Sequence, residues 1–163
     1  MQLARLYLKK NEERRLRNGH LWVYSNEVDA KRSPLGDFTP GQPVSIIAND
    51  GKPVGSGYVN PHSLICARLV SRKPEQQLDR SLLVHRLNIA LSLRERLFDK
   101  PYYRLVYGES DALPGLVVDR FGDVLVVQLN TAGMEAHKQE VIEALEEVVK
   151  PAAILWRNDS GAR

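Results

Sequence analysis

Short apolar runs separated by turns dominate the first half of the chain. Residues 3–8, 44–48, 54–59 and 64–70 each read as a strand, because apolar side chains recur at alternate positions or in short β-branched runs. An Asn-Asp-Gly sequence at residues 49–51 predicts a hairpin turn between the second and third runs. Several short strands joined by Gly- and Pro-containing turns predict a small β-barrel.

Longer apolar stripes in the second half predict helices. The first helix runs from a cap at Asp79 or Ser81 to about Phe98, and the second covers about residues 132–149 after a cap at Asn130 or Thr131. His137 lies on the apolar stripe of the second helix, where we interpret it as a packed residue rather than a ligand.

Strand patterns lie between and after these helices. Residues 102–107 and 152–156 are strand-like, and residues 116–129 form two β-branched runs joined by an Arg-Phe-Gly-Asp turn at residues 120–123. The order helix, hairpin, helix, strand predicts a small α/β domain. Residues 72–77 form a polar linker, so we expect an α+β protein with two domains, residues 1–73 and 74–163.

Two glycines and the one cysteine invite chemical hypotheses that the pattern does not support. Gly55 and Gly57 lack the third glycine and the strand-to-helix junction of a nucleotide-binding loop, so we interpret them as sites of a bulge or close backbone packing. Cys66 is the only cysteine, which excludes an intramolecular disulfide and a cysteine-based zinc site. We interpret Cys66 as a small packing residue.

Positive charge is concentrated in the first predicted domain. Residues 1–73 contain 12 Lys and Arg against 6 Asp and Glu, whereas residues 74–163 contain 11 against 14. This asymmetry favours a polyanionic partner for the first domain. An ordinary basic domain remains the alternative.

Cations stand beside aromatic residues in the first domain, in an arrangement that suits RNA. Cations bind phosphates, and exposed rings stack on unpaired bases. The alternatives are a solvated polar helix, starting from a cap at Asn11, and a Trp22 that belongs to the core. The candidate RNA-binding residues are Lys9, Lys10, Arg14, Arg15, Arg17, His20, Trp22 and Arg68.

Three segments together resemble a known enzyme family. They are GESDALPGLVVDRFG at residues 108–122, HLWVYS at residues 20–25 and the Arg-Asn-Asp sequence at residues 157–159. The chain resembles, along its whole length, the first two domains of bacterial large-subunit (23S) rRNA cytosine-5 methyltransferases that use S-adenosylmethionine. Leu21 departs from the family pattern, which often has proline there.

The resemblance implies a PUA-like RNA-binding domain followed by a middle domain, acting on 23S rRNA of the large ribosomal subunit. It also implies that the catalytic domain, with its nucleophilic cysteine and its S-adenosylmethionine site, is absent from this chain. We therefore expect no bound cofactor and no methyltransferase activity from these 163 residues alone. Two other hypotheses stay open: a free-standing RNA-binding adaptor, and a module whose acidic second half docks a basic protein.

The resemblance further suggests that the middle domain braces the target against the catalytic domain. Polar residues of the loop and hairpin are candidates for lining that cleft, although they could equally cap turns and pair with one another. The candidates are Glu109, Asp111, Asp119, Arg120, Asn158 and Asp159.

No apolar run approaches the roughly 20 residues that cross a bilayer, and the N-terminus lacks the pattern of a signal peptide. We therefore expect a cytoplasmic protein without a membrane partner. No paired histidines indicate a metal site. A homodimer is compatible with the sequence but is not indicated by it.

Overall fold

In the computed structural model, which describes residues 2–158, the chain divides into two units between Leu78 and Asp79. The linker residues Glu75 and Gln76 bond to the first unit. The Glu75 carboxylate accepts a hydrogen bond from Leu3 N at 2.9 Å, and the Gln76 side-chain oxygen accepts one from the Ser71 hydroxyl at 2.6 Å. These bonds explain why the division comes after Leu78.

The first unit is built on a five-stranded mixed sheet with the strand order β1-β3-β4-β5-β2. Strand β1 runs parallel to β3, and the other pairs are antiparallel. Its elements are β1 (Ala4–Tyr7), α1 (Glu13–Arg17), β2 (Trp22–Tyr24), β3 (Gln42–Ile47), β4 (Pro53–Val59) and β5 (Ile65–Ser71).

The predicted closed barrel is wrong, because the sheet of the first unit is open. Strands β1 and β2 are its two ends, and no ladder joins them in the described residues. The chain between them forms α1 instead, and the two ends are linked by a single bridge between Leu8 and Val28 and by a 2.9 Å hydrogen bond from Lys9 N to Glu27 O. Leu16 of α1 is buried in the core of this unit.

The two glycines of β4 lie against the backbone of β5, as predicted. A Cβ at Gly57 would lie 2.0 Å from the Arg68 carbonyl oxygen, and one at Gly55 would lie 2.3 Å from the Ser71 carbonyl oxygen. The pairing register shifts between Ser56 and Gly57, which is the irregularity expected of a bulge. Glycine is required here because the two strands approach too closely for any side chain.

The single cysteine is a packing residue, which confirms its predicted role. The side chain of Cys66 is fully buried in the core of the first unit, and its thiol lies 3.5 Å from Val23 O. Burial in apolar surroundings raises the pKa of the Cys66 thiol to about 12. The sulfur is therefore protonated and inert at neutral pH.

The second unit is a four-stranded sheet with the order β6-β7-β8-β9, in which β8 and β9 run parallel. Side chains that alternate along β7 and β8 are buried on one face, with Val118 and Val127 paired across the strands. The elements are α2 (Arg80–Leu97), β6 (Tyr102–Tyr107), β7 (Leu116–Phe121), β8 (Val124–Leu129), α3 (Ala132–Ala136), α4 (Lys138–Val148) and β9 (Ala153–Trp156).

Local capping decides where the helices of both units begin and break. Asp79 caps α2 by accepting a hydrogen bond from Leu82 N at 2.8 Å, whereas Asn11 is not a cap: its φ is 70° and α1 begins two residues later.

The single helix predicted over residues 132–149 is two helices. His137 ends α3 and begins α4 with non-helical angles, and its Nδ1 lies 2.7 Å from the Gly133 carbonyl oxygen.

Candidate RNA-binding surface

The short helix α1 is anchored by one buried residue and presents its cations outward. Leu16 is buried in the core, and its carbonyl oxygen accepts a hydrogen bond from the Arg72 guanidinium. Gly19, at φ +110°, ends the helical turn. Arg14 and Arg17, on either side of this anchor, are both exposed.

Arg15 differs from its neighbours because it is bonded within the first unit. Its guanidinium lies 2.6 Å from the Glu27 carboxylate, which also accepts a hydrogen bond from Tyr24 N at 3.0 Å. The same guanidinium lies 5.1 Å from the centre of the Tyr24 ring. Arg15 therefore ties α1 to the residues that follow it, and its charge is balanced by Glu27.

A second carboxyl group adjoins this ion pair. The Glu12 carboxyl shares a hydrogen bond with Glu27, and this contact raises the pKa of Glu12 above its usual value.

Trp22 lies at the surface, so the alternative that places it in the core is wrong. Its side chain is 37% exposed, and its ring meets that of Tyr24 edge to face at 6.5 Å between centroids. Trp22 pairs with Arg68 across β2 and β5, which brings the Arg68 guanidinium to 6.0 Å from the indole centre. An exposed aromatic ring beside a cation is suited to stacking on a base.

The remaining candidates of the first unit are also on its surface. Lys9 and Lys10 occupy the turn between β1 and α1, and His20 lies just after Gly19; all three are exposed. Six of the eight predicted residues are therefore exposed cations or rings that lie close to one another in sequence. Of the other two, Arg15 is bonded within the unit and Arg68 is half-buried.

A second group of cations was not predicted from the sequence. The Arg32 guanidinium lies 3.7 Å from the centre of the Tyr7 ring, and Arg5 donates a 3.3 Å hydrogen bond to the Tyr7 hydroxyl. Arg5 and Tyr7 share one face of β1, a two-residue spacing that the sequence does show. Arg32 comes from a distant loop, and no local pattern indicates its position.

In the second unit, the loop of residues 108–114 is fastened to α2. Both carboxylate oxygens of Asp111 accept hydrogen bonds from Arg94, at 2.7 and 2.9 Å, and one also accepts from Tyr107 N at 2.7 Å. Arg86 donates to the Ala112 carbonyl oxygen at 2.6 Å. The Asp111 side chain is only 7% exposed, so its described contacts all stabilise the loop.

The hairpin acids and bases are likewise paired. Asp119 accepts two hydrogen bonds from Arg104, at 2.8 and 3.2 Å, on the exposed face of the sheet, and these bonds raise the pKa of the Arg104 guanidinium. Arg120 donates to the Tyr103 hydroxyl and to the Gly122 carbonyl oxygen, both at 2.9 Å. These are the turn-capping and pairing roles that the sequence left as an alternative.

The other cleft candidates are spread along the unit. Glu109 is half-buried in a short 3-10 helix, Gly108–Asp111. The side-chain oxygen of Asn158 lies 3.5 Å from Leu129 N, next to the end of β9. Asp159 lies outside the described residues. Residues 2–158 include no group of three or more His, Cys, Asp or Glu side chains arranged to hold a metal ion, and none of their helices has the length and apolar character of a membrane span.

Comparison with known protein families identifies the domain in the first unit. Residues 6–72 match the PUA-like domain family. The first unit contains a PUA-like domain. The matched segment includes the exposed cations on and before α1, as well as Tyr7 and Arg32, whereas Arg5 lies one residue before it.

Nearly the whole chain is homologous to Ribosomal RNA large subunit methyltransferase I proteins. It is 37% identical to the protein of Tolumonas auensis over 161 residues and 36% identical to that of Aliivibrio fischeri (strain MJ11) over 161 residues, which is 97% of this chain in both cases. It covers 40% of each relative, so the chain spans about two fifths of the length of the curated proteins it matches.

Solved structures share the fold. A Streptococcus mutans protein described as a SAM-dependent methyltransferase matches 95% of this chain with a TM-score of 0.78 at 17% identity, and the match covers 41% of that protein. A methyltransferase structure complexed with SAH matches 96% of this chain with a TM-score of 0.77 at 16% identity, covering 40% of that protein. At these identities the likeness concerns the fold alone.

Proposed function

We propose that this chain is the RNA-recognition portion of an S-adenosylmethionine-dependent 23S rRNA cytosine-5 methyltransferase. The observation that carries the proposal is the group of exposed cations Lys9, Lys10, Arg14 and Arg17 beside the exposed Trp22, all within or next to the PUA-like domain. The homologous relatives are named as rRNA large subunit methyltransferases, which favours rRNA as the polyanion.

In this proposal the cations bind phosphates and Trp22 stacks on an unpaired base. Phosphate contacts supply most of the affinity but little sequence information, whereas stacking on an aromatic ring is tolerant of base identity. The first unit therefore holds the RNA. Selection of one nucleotide belongs to the whole methyltransferase.

The second unit positions the RNA through a rigid loop and hairpin. Asp111 and Asp119 hold that surface in shape by binding Arg94 and Arg104. Glu109, Arg120 and the chain at Asn158 stand on or beside the same hairpin. Their proposed role is to line the cleft between this unit and the catalytic domain. The ion pairs of Asp111 and Asp119 hold the scaffold beneath them.

We propose further that these residues alone do not bind the methyl donor. S-adenosylmethionine sites in α/β folds use a glycine-rich loop where a strand leads into a helix. In the second unit, the described junction from β8 to α3 is instead capped by Thr131, whose hydroxyl accepts a hydrogen bond from Met134 N at 3.3 Å. The only thiol is buried in the PUA-like domain. We therefore assign no methyl-transfer step to these residues.

The proposal is tested by comparing RNA affinities of variants at one salt concentration. Arg14→Ala/Arg17→Ala should bind a structured 23S rRNA fragment about tenfold or more weakly than the parent chain, because two phosphates are no longer neutralised. Arg15 is left unchanged because its removal would also break the bond to Glu27. Fluorescence anisotropy of a labelled RNA fragment measures the affinity.

The matched control is Arg96→Ala/Lys100→Ala, which removes the same charge from exposed positions of the second unit. This control should bind nearly as well as the parent. Equally weakened binding by the two double variants would show that bulk charge, rather than the surface around α1, governs binding.

A further inference from the structure

Two arginines meet around one tyrosine on the edge strand of the first unit. The Arg32 guanidinium stacks on the Tyr7 ring, 3.7 Å from its centre, while Arg5 donates to the Tyr7 hydroxyl at 3.3 Å. Both guanidinium groups are exposed. Two like charges held this close to one phenol repel each other, so the arrangement is most stable when an anion joins it.

The loop that carries Arg32 is fixed to β1 by a set of hydrogen bonds. The Ser33 hydroxyl accepts from Tyr7 N at 2.9 Å and donates to the Arg5 carbonyl oxygen at 3.1 Å. Asp29 N donates to the Tyr7 carbonyl oxygen at 2.9 Å. The guanidinium of Arg32 is itself oriented by a 3.1 Å hydrogen bond to the Asn49 carbonyl oxygen. The cluster is therefore arranged before any ligand binds.

The nearby carboxylates have other bonds. Asp29 accepts hydrogen bonds from Lys31 N and Arg32 N, at 3.1 and 3.4 Å, so its charge is directed to the backbone of its own loop. Glu75 accepts a hydrogen bond from Leu3 N at 2.9 Å. The pKa of Arg5 is raised mainly by its hydrogen bond to Tyr7, and the charge of Glu75 adds little to this. The hydrogen bond from Arg5 is the main reason that the pKa of Tyr7 is lowered.

We propose that Arg5, Tyr7 and Arg32 form a second phosphate-binding site, which takes a phosphodiester of the same RNA that lies on the surface around α1. Guanidinium groups bind phosphate through paired N–H donors in a fixed fork, which explains arginine rather than lysine at both positions. The inference rests on the proposed RNA-binding function.

Chain continuity supports one RNA ligand for both sites. Strand β1, which carries Arg5 and Tyr7, leads through Leu8 directly to Lys9 and Lys10. The same Leu8 bridges to Val28, and the Arg32 loop follows from there. An RNA backbone that follows the exposed residues along β1 would therefore meet both groups of cations.

The test measures how log K for RNA binding depends on log salt in the full chain. Arg5→Ala/Arg32→Ala should make the slope shallower by about 0.7 to 0.9 for each phosphate that is no longer neutralised. Arg5→Lys/Arg32→Lys should keep the parent slope, because the charges remain, while affinity falls because the forked geometry is gone. The thermal midpoint of each variant verifies that it is folded.

The outcomes separate this inference from the proposed function. A parent-like slope and affinity for Arg5→Ala/Arg32→Ala, together with weak binding by Arg14→Ala/Arg17→Ala, would overturn the second site alone. A parent chain that does not bind the RNA overturns both proposals. Inorganic phosphate, added at constant ionic strength, should compete no better than chloride; competition that depends on Arg5 and Arg32 would assign the site to free phosphate instead.

Discussion

Individual charged residues in this chain have different roles that their residue type does not reveal. Arg14, Arg15 and Arg17 are equivalent in sequence, yet only Arg15 is bonded to Glu27, at 2.6 Å. The sequence predicts the cations and the aromatic neighbours, because both follow from composition and local spacing. It does not predict the partner of each cation, since Glu27 lies in the turn after β2 and reaches Arg15 only when the chain folds.

The two aspartates of the second unit should differ in their contribution to stability. The pair Asp111–Arg94 is 7% and 13% exposed, whereas Asp119–Arg104 is 22% and 42% exposed. Asp111→Ala removes the only carboxylate described next to the nearly buried Arg94 guanidinium, which keeps a 3.2 Å bond to the Arg104 carbonyl oxygen, and should lower the free energy of unfolding by about 3–5 kcal/mol. Asp119→Ala should lower it by about 1 kcal/mol or less, because water screens the remaining charge.

Urea unfolding, followed by circular dichroism, measures both values. Asp111→Asn is a useful companion variant because it keeps the shape of the side chain and removes its charge. If Asp111→Ala destabilised the chain as little as Asp119→Ala, Asp111 would not fasten the loop. Its carboxylate would then be available to a ligand.

At the scale of elements, close strand approach in the PUA-like domain makes a sharp prediction. A Cβ at Gly57 would lie 2.0 Å from a backbone carbonyl oxygen that cannot move aside without breaking the pairing of β4 and β5. Gly57→Ala should therefore lower the free energy of unfolding by about 1–3 kcal/mol, as expected for overpacking.

Gly36→Ala is the matched control, because no heavy atom lies within 4 Å of its added Cβ and its φ is not positive. It should change the free energy of unfolding by less than about 1 kcal/mol. If chemical denaturation found both variants equally stable, β4 and β5 would have to be farther apart than the structure places them.

Elements were more predictable than their connections. The described strands other than β2, and α2, occur where local alternation and a helical apolar stripe predict them, whereas the short strand Trp22–Tyr24 was not predicted. The break at His137 depends on its contact with the Gly133 carbonyl oxygen, 2.7 Å away, and no breaker residue marks it. The open sheet depends on which strands pair at its two ends, a tertiary choice that strand counting cannot make.

At the scale of the whole molecule, the uneven charge of the sequence corresponds to two units of different character. The PUA-like domain carries its exposed cations around α1 and β1. The second unit instead has ion pairs between its own side chains, such as Asp111 with Arg94 and Asp119 with Arg104. The surface around α1 was predictable because its residues are consecutive; the Arg5, Tyr7 and Arg32 cluster was not, because its residues come together only in the fold.

The most direct test of the central claim is the salt dependence of binding between the unmodified chain and a structured 23S rRNA fragment. Four exposed cations, Lys9, Lys10, Arg14 and Arg17, each neutralising one phosphate, predict that log K falls with log salt at a slope of roughly −3 or steeper. Binding that is absent at low salt, or that has a slope near zero, would contradict the claim that this chain recognises RNA through its phosphates.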